Sequence, residues 1–591
     1  QSLLCFAPAL WNGKDPILKE RLFGLTNREG NHGEDVKESY HYLASTPTHS
    51  YARALYRYPQ QVFPYEELRK QNKARGYGDP EFELEDTGLF DDGRYFSMEV
   101  EYAKASAEDT VIRLHLTNHG PESASLHVLA QWWFRNTWAW GKTFEHPVKR
   151  PEIQRLPDGQ VVADCAGLGS YHLETELRSP SEGPTWLFTE NETNTELLYG
   201  TAHPQNILHV KDAFHRCVVN GRIEAVNPEE SGTKTAAWFR LDLEPGETQI
   251  LRLRMRPPGS ASTSTSSFQD ECDSIVRERR REHDEFYSVV LAAQKDPEAR
   301  RVAEQAYAGL LWSKQFYHYI LEEWLKGDPS QPLPPPGHAT HRNEDWHHFF
   351  AHDIFSMPDS WEYPWFAAWD LAFHMVPMAD IDPDFAKQQL LLLLREWYLH
   401  PNGQLPAYEW NFNDVNPPVH AWSVWRVYKI SGEPGRRDTE FLERAFQKLL
   451  MNFTWWVNRK DPQGNHIFSG GFLGLDNIGV FDRSKPLPGG GQLEQADATA
   501  WMASYCLNML SMAMELAQTR PAYEDIASKF FEHFVAISDA ILEMGENGLW
   551  NEADGFYYDL LRIKDESTPM RIRSMVGLLP LCAVAVLDQE Q

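Results

Sequence analysis

Asp476 lies in the stretch Gly470–Arg483, GGFLGLDNIGVFDR, a loop broken by glycines between two helical patterns. The loop follows a turn cluster at Asp461–Asn465 and precedes Leu493–Leu516, whose apolar residues recur at helical spacing. A single aspartate in such a loop is most often a turn or cap residue. A protonated carboxyl there could instead give a proton to a leaving oxygen, which is general-acid chemistry. The other loops of this half of the chain help to decide between a turn or cap residue and a general acid.

Four further loops combine carboxylates, amides and tryptophans in a similar style. Carboxylates and amides suit the hydroxyls of a sugar, aromatic rings suit its CH faces, and glycosidic cleavage needs one protonated and one ionised carboxyl. Each loop also has a structural reading, in which an aspartate caps a helix and a tryptophan fills the core. Their succession favours a carbohydrate site. The residues concerned are Trp369 and Asp370; Glu409, Trp410, Asn411, Asn413 and Asp414; Glu494, Gln495 and Asp497; and the loop Asn547–Leu560 with Glu552.

Helices must position these loops, because the chain after residue 365 shows one helical pattern after another and no strand signal. Paired helices of this kind form toroids, in which the loops at one end meet to form a site. Two more helices are predicted upstream, at Cys272–Ala293 and Pro297–Leu325. The helices predicted after residue 365 are Phe385–Leu399, Pro418–Ile430, Thr439–Lys460, Leu493–Ala517 and Tyr523–Met544.

The first half of the chain predicts a large β-sandwich, because short segments of alternating polar and apolar residues are separated by turns. A Ser/Thr-rich linker, Pro258–Phe268, marks the domain boundary. The predicted domains are a sandwich at 1–257, a linker and connecting helix at 258–296, and a helical domain at 297–591 with an insertion at 327–364. The predicted strands are Arg94–Ala105, Thr110–Asn118, Ser125–Arg135, runs within 159–177 and 184–189, and two strands in Thr235–Pro257.

The insertion at 327–364 is rich in proline, aromatic residues and histidine. His348 and His352 are four residues apart and could share a helix face, as the ligands of one metal ion would. No cysteine or carboxylate pattern completes such a site, so the sequence predicts no metal and no cofactor.

The amino-acid composition indicates which classes of partner the protein can bind and where it is located. There are 56 lysine and arginine residues against 85 aspartate and glutamate residues, a net charge of −29, which disfavours nucleic acid and anionic membranes. The 21 tryptophans mildly favour a carbohydrate ligand. Six scattered cysteines without a CxxC pair predict buried thiols of a reducing compartment, and no signal peptide or spanning segment is recognisable. We therefore expect a cytoplasmic protein; the sequence does not indicate an oligomeric state.

The segments WFAAWDLAFH, GQLPAYEWNFNDVNPP, GGFLGLDN and LEQADATAWMA, in this order, resemble glycoside hydrolase family 63, which includes processing α-glucosidase I, bacterial α-glucosidases and mannosylglycerate hydrolases. The resemblance spans roughly residue 300 to the end and implies an (α/α)6-barrel with inverting chemistry. It implies Asp476 as the general acid and places Trp369 and Asp370 in the −1 subsite. The further sugar contacts that it suggests are Glu409, Trp410, Asn411, Asn413 and Gln495.

One departure concerns the general base, which the family carries as a glutamate near the C-terminal end of its barrel. The chain stops soon after RSMVGLLPL, and the helices after residue 365 number about seven or eight against the twelve of a closed barrel. We therefore expect an incomplete barrel with its catalytic base outside these 591 residues. Glu494 and Glu552 are the alternatives within the chain.

The sequence thus predicts an inverting hydrolase of α-glucosidic or related small α-glycosidic bonds, acting on a small-molecule or oligosaccharide substrate. Two alternatives remain open. One is another (α/α)6 enzyme, a trehalase-like hydrolase or an inverting phosphorylase. The other is a carbohydrate-binding protein whose barrel has lost its activity.

Overall fold

A computed structural model of the chain divides into two compact units. The first comprises residues 1–312 with short pieces at 328–333 and 359–362, and the second comprises 313–327, 334–358 and 363–591. Helix 297–312, which the sequence assigned to the helical domain, belongs to the first unit. The predicted domain boundaries stay a prediction. The structure describes residues 3–20, 38–76, 78–140, 149–176, 183–202, 206–259, 267–328, 333–340, 342–359, 363, 365–460, 464, 466–468, 487, 491–543, 548–563 and 566–586.

The first unit is dominated by antiparallel strands. Its strands are β1 (Leu4–Trp11), β2 (Ser39–Ser45), β3 (Tyr51–Pro59), β4 (Tyr95–Ser106), β5 (Asp109–Asn118), β6 (Ala124–Phe134), β7 (Glu152–Arg155), β8 (Val161–Cys165), β9 (Gly169–Thr175), β10 (Thr185–Thr189), β11 (Ser231–Gly232), β12 (Lys234–Leu243) and β13 (Thr248–Arg256). Its helices are α1 (Tyr65–Ala74), α2 (Thr195–Tyr199), α3 (Ala213–Val218), α4 (Phe268–Val290) and α5 (Pro297–Trp312).

These strands form a four-stranded sheet, β1-β6-β12-β10, and a nine-stranded sheet, β11-β7-β8-β9-β13-β5-β4-β3-β2. Alternation along the strands places every second side chain on the inner face. In β4, for example, Phe96, Met98 and Val100 are buried. They share one hydrophobic core with Leu126 and Trp132 of β6 in the other sheet, so the two sheets pack face to face.

Helices cover the outer faces of both sheets. Phe214 of α3 packs with Ala9 and Trp238 on the four-stranded sheet. Val276 of α4 packs with Tyr51 on the nine-stranded sheet. Both sheets are therefore buried on two sides, which explains continuous buried runs such as that at the start of β12.

The second unit is mainly helical. Its helices are α6 (Leu321–Lys326), α7 (Ala368–Ile381), α8 (Pro383–Leu392), α9 (His420–Ile430), α10 (Thr439–Val457), α11 (Ala496–Ala517) and α12 (Ala522–Glu543), followed by a 3₁₀ segment at Met575–Cys582. Its strands are β14 (Lys314–Ile320), β15 (Phe350–Ser356), β16 (Gln492–Glu494), β17 (Trp550–Asn551), β18 (Phe556–Tyr557), β19 (Asp559–Ile563) and β20 (Glu566–Met570). A strand-rich first part and a helical second part are thus confirmed.

Three local predictions are wrong. Pro297–Leu325 is not one helix, because strand β14 interrupts it and pairs with β15. The helical half is not free of strands, because β16, β19 and β20 form a three-stranded sheet. His352 lies in β15 and not on a helix with His348, so the two imidazoles do not share the helix face that the metal-binding hypothesis requires.

All six cysteines are free; four are buried, whereas Cys5 is half-buried and Cys582 is exposed, so the prediction of buried thiols is wrong for these two. In the ranges that the structure describes, no helix is both long and apolar enough to cross a membrane. Those same ranges contain no group of three or more His, Cys, Asp or Glu side chains placed to hold a metal ion.

Candidate active site

The structure joins the first two predicted loops at the start of helix α7. The amide of Ala368 donates to the carbonyl of Ala407 over 2.9 Å, and the amide of Glu409 donates to Phe366 over 3.2 Å. An isolated bridge between Ala367 and Tyr408 extends this pairing. Backbone hydrogen bonds therefore hold the loop that carries Glu409 and Trp410 beside the Trp369–Asp370 pair, as a common site requires.

A cavity of about 40 Å³ lies between these loops and the helices behind them. At roughly 10–15 Å³ per water, this space is large enough for about three waters. Its walls combine indole rings with amides, a carboxylate and an imidazole. The polar and aromatic lining residues are Trp369, Asp414, Asn416, His420, Asn452, Trp455 and Trp456.

Asp370 lies in the first turn of α7 and is half-buried. Burial raises its pKa to about 6, against a weaker opposing hydrogen bond from its own backbone amide. It makes no ion pair or hydrogen bond with another described side chain. A carboxylate has about four acceptor positions, so beyond the bond from its own amide Asp370 can still accept hydrogen bonds from ligand hydroxyls.

His420 begins helix α9 and lines the cavity. Its Nε2 donates to the carbonyl of Leu390 over 2.9 Å, which leaves Nδ1 as the acceptor nitrogen. Burial lowers the pKa of His420 to about 4, so the ring is neutral at physiological pH. Nδ1 has no hydrogen-bond partner in the described part of the chain.

Glu409 is held by two side chains from upstream of the predicted loops. The Tyr317 hydroxyl donates to its Oε2 over 2.9 Å, and Nη2 of Arg342 lies 3.5 Å from its Oε1. Burial, and then the charge of Glu409, raise the pKa of Tyr317 well above its usual range, so this hydroxyl remains a donor. Trp410, next in the chain, is 50% exposed.

Asn411 and Asn413 are exposed, but each has a structural contact. The side-chain oxygen of Asn411 accepts from the amide of Asn413 over 3.1 Å, which closes a local turn. Oδ1 of Asn413 accepts from Nε1 of the buried Trp346 over 2.8 Å. The predicted role of both residues in sugar binding stays a prediction, since the contacts that the structure gives them shape the loop.

The loop before helix α11 is buried. Gln495 is 3% exposed and its carbonyl accepts from Thr499 in the first turn of the helix. Its neighbour Glu494 forms a paired contact with Arg562, at 2.9 Å from Nε and 3.0 Å from Nη2. Such a pair uses both carboxylate oxygens, which makes Glu494 a poor general base. Glu552 is exposed and accepts from Trp550 Nε1 over 2.7 Å.

Asp476 and the rest of its loop lie outside the described residues. Its role as the general acid therefore stays a prediction.

Sequence reasoning missed the contribution of residues 342–346 in the insertion. Asn343 donates through Nδ2 to the carbonyl of Glu409 over 2.6 Å, and its Oδ1 accepts from the amide of Phe412 over 2.7 Å. Its φ of 66° lies in the left-handed region, which asparagine tolerates better than most residues. The concentration of aromatic residues marks the insertion in the sequence, but no pattern there indicates contact with residues 409–413.

Comparison with known proteins shows what the segment that contains these loops is similar to. Residues 363–591 match the family model described as the mannosylglycerate hydrolase MGH1-like glycoside hydrolase domain. By this match the segment resembles a glycoside hydrolase domain of the MGH1-like type. The resemblance to glycoside hydrolase family 63 is thus confirmed.

Among curated proteins, the chain is 47% identical over 636 aligned residues to the uncharacterized protein YMR196W of Saccharomyces cerevisiae. The alignment includes the whole of this chain but 58% of the yeast protein, so the chain spans little more than half the length of this relative.

Solved structures give weaker likenesses. The GH63 mannosylglycerate hydrolase from Thermus thermophilus, in complex with Tris and D-glycerate, is 20% identical with a TM-score of 0.31, over 39% of this chain and 69% of that one. The GH92 family glycosyl hydrolase ccman5 is 14% identical with a TM-score of 0.28, over 79% of this chain and 50% of that one. At TM-scores below 0.5, neither likeness informs the chemistry.

Proposed function

We propose that this protein is an inverting glycosidase that hydrolyses α-glucosidic or related small α-glycosidic bonds. The observation that carries the proposal is the match of residues 363–591 to a glycoside hydrolase domain, since that segment contains every loop in which the sequence predicts a sugar contact. The pairing of the Trp369–Asp370 turn with the Glu409 loop supports it. A cytoplasmic location and an (α/α)6-barrel belong to the same proposal.

In the proposed mechanism the indole of Trp369 faces the sugar ring, and Asp370 accepts hydrogen bonds from its hydroxyls. Asp476, kept protonated by a less polar setting, gives its proton to the leaving oxygen. A second carboxylate, about 6.5–9.5 Å from the first in inverting enzymes, activates the water that attacks the opposite face. The ion pair with Arg562 disfavours Glu494 for this step, and we propose a glutamate outside these 591 residues.

Proton NMR during turnover tests the reaction. The chain is incubated with maltose, kojibiose, nigerose and mannosylglycerate, and the anomer released first is read before it mutarotates. An inverting α-glucosidase releases the β-anomer first; release of the α-anomer would contradict inversion. If the chain is inactive, the same assay on the longer yeast relative tests the missing base. Inactivity of both proteins on every substrate would refute the proposed reaction.

The acid is tested with Asp476→Asn. Loss of a general acid typically costs 10²–10⁴-fold in rate, so we expect a loss of about that size on disaccharides. α-Glucosyl fluoride needs little protonation of its leaving group, so its hydrolysis by the variant should be largely retained. Asp482→Asn, in the same loop, is the matched control and should leave both rates unchanged. Equal loss on the fluoride and the disaccharides would remove Asp476 from the acid role.

A further inference from the structure

Aromatic rings from residues 317–355 pack against the two loops of the candidate site. Phe366 precedes helix α7, Phe412 lies in the Glu409 loop, and both rings are buried. Phe349 contacts both of them, with ring centroids 6.1 Å from Phe366 and 4.2 Å from Phe412. The further ring contacts are those of Tyr317 and Phe355 with Phe366, and of Tyr319 and Trp346 with Phe412. The two loops therefore share one aromatic core with a segment that precedes them in the chain.

Asn343 holds the Glu409 loop by two hydrogen bonds. Its Nδ2 donates to the carbonyl of Glu409 over 2.6 Å, and its Oδ1 accepts from the amide of Phe412 over 2.7 Å. The amide of Glu409 donates in turn to the carbonyl of Phe366 over 3.2 Å, which pairs the loop with the segment before α7. Glu409 is thus fixed from both sides, by Asn343 at its carbonyl and by Phe366 at its amide.

The backbone of Asn343 has a conformation that few residues adopt. Its φ is 66° and its ψ is 13°, which lies in the left-handed region. Of the described non-glycine residues with positive φ, only Asn343 is buried, at 6% exposure. The others, which are half-buried or exposed, are His49, Asn206, Glu230 and His466. A residue persists in this region when its surroundings determine its conformation, and such residues cluster at active sites and ligand clamps.

We propose that Asn343 is a positioning residue. Through its two hydrogen bonds it sets where the Glu409 loop lies beside the Trp369–Asp370 turn, and so how tightly the site binds its substrate, without touching the substrate itself. This inference rests on the proposed function. Asn343 and the aromatic rings around Phe349 precede residues 363–591, the segment that matches the glycoside hydrolase model. That segment therefore depends on upstream residues to shape its site.

Hydrogen exchange of the full chain, followed by mass spectrometry, tests the positioning directly. Asn343→Gly keeps a backbone that adopts positive φ without strain but loses both side-chain bonds. We expect the amides of Glu409 and Phe412 to exchange at least tenfold faster in this variant. Asn343→Asp keeps an acceptor oxygen, so it should restore the protection of the Phe412 amide. Helix α11 should exchange as in the wild type.

Enzyme kinetics separates positioning from a general loss of stability. The substrate is whichever of maltose, kojibiose, nigerose and mannosylglycerate the wild type hydrolyses fastest. A misplaced Glu409 loop weakens binding, so we expect KM to rise about tenfold in Asn343→Gly and about threefold in Asn343→Asp. A loss of stability alone would reduce the fraction of folded enzyme, which lowers kcat and leaves KM unchanged.

The matched control is Asn206, another asparagine with positive φ, at 53°, which is exposed in the first unit. Asn206→Gly should leave KM and the exchange of residues 405–416 unchanged. Wild-type KM or wild-type exchange of residues 405–416 in Asn343→Gly would overturn the positioning role, and so would equally faster exchange in helix α11. If Asn343→Gly does not fold, a wild-type KM in Asn343→Asp would overturn it instead.

The result is separable from that of the proposed function. If the wild type hydrolyses none of the four glycosides, faster exchange confined to residues 405–416 in Asn343→Gly would still support the positioning role, and the glycosidase would fail. Hydrolysis by the wild type, with unchanged KM and exchange in Asn343→Gly, would do the reverse.

Discussion

Asp370 is a carboxyl whose surroundings oppose its charge. The unfolded chain gives an aspartate its ordinary pKa near 3.8, whereas burial raises that of Asp370 to about 6. Between these values the folded protein binds the proton that the unfolded chain has released, so the free energy of unfolding falls as the pH rises from about 4 to about 6. Below this window the penalty is absent, and above it the penalty is complete. A residue kept at such a cost is typical of a functional site.

We predict that Asp370→Asn stabilises the protein at pH 7.5 and has little effect at pH 4. A difference of about two pH units corresponds to about 3 kcal/mol at 1.36 kcal/mol per unit, which is the upper size of the gain. Thermal unfolding at the two pH values measures it. In the proposed site the same variant should lose sugar binding, since the amide accepts fewer hydrogen bonds than the carboxylate.

Asp384→Asn is the control for this prediction. Asp384 lies in the first turn of the next helix, α8, but is exposed. A negative charge at a helix N-terminus is stabilising by about 0.3–1 kcal/mol, so this variant should be slightly less stable at pH 7.5. If both variants are destabilised alike, burial does not dominate at Asp370.

At the scale of elements, the sequence predicted those strands whose pattern of alternating residues lies within one continuous segment of the chain. Strands β4, β5 and β6 were predicted to within about a residue at each end, because ten or more residues alternate around clear turns. Strand β14 was missed because its partner β15 begins thirty residues after it ends. Strand β16 has three residues, too few for any periodicity.

The features of the candidate site also fall into those that one short segment indicates and those that depend on contacts between distant segments. The residue types alone singled out the Trp369–Asp370 turn and the Glu409 loop, since carboxylates beside tryptophans suit a sugar, and their role in sugar binding stays a prediction. Their hydrogen-bonded pairing and the clamp from Asn343 could not be predicted, because they join segments far apart in the chain. Asn343 in addition requires a left-handed backbone that no short motif indicates.

The three-stranded sheet β16-β19-β20 yields a prediction about Glu494. This residue is 4% exposed, and its ion pair with Arg562 links β16 to β19. Removing one partner of a buried pair costs about 3–5 kcal/mol, because the other charge stays buried without compensation. We therefore expect Glu494→Gln to lower the free energy of unfolding by about that amount in urea titrations. Unchanged stability with turnover abolished would instead favour Glu494 as the general base.

At the scale of the whole molecule, the net charge of −29 makes internal ion pairing important for stability, and each unit contains such a network. In the first unit Glu101 is fully buried and accepts from Tyr51 over 2.6 Å, Arg113 over 2.6 Å and Arg280. Burial alone would raise the pKa of Glu101, but hydrogen bonds from His115 and these three groups hold it well below its usual range. In the second unit the corresponding buried ion pair is that of Glu494 with Arg562.

The two networks can show whether the units unfold separately. Scanning calorimetry of the whole chain should give two transitions if each unit is a cooperative domain. Glu101→Gln should then lower only the transition of the first unit, and Glu494→Gln only that of the second. At about 2–4 °C per kcal/mol for domains of this order, a loss of 3–5 kcal/mol lowers a midpoint by roughly 10 °C. Because the pKa of Glu101 is lower in the folded protein, the stabilisation that this carboxylate gives is complete above its unfolded pKa near 4.5 and is lost as the pH falls. Acid should therefore lower the first transition of the wild type, and should lower that of Glu101→Gln less. A single transition, lowered by either variant, would mean that the chain unfolds as one cooperative whole and that the division at residue 312 describes packing without describing stability.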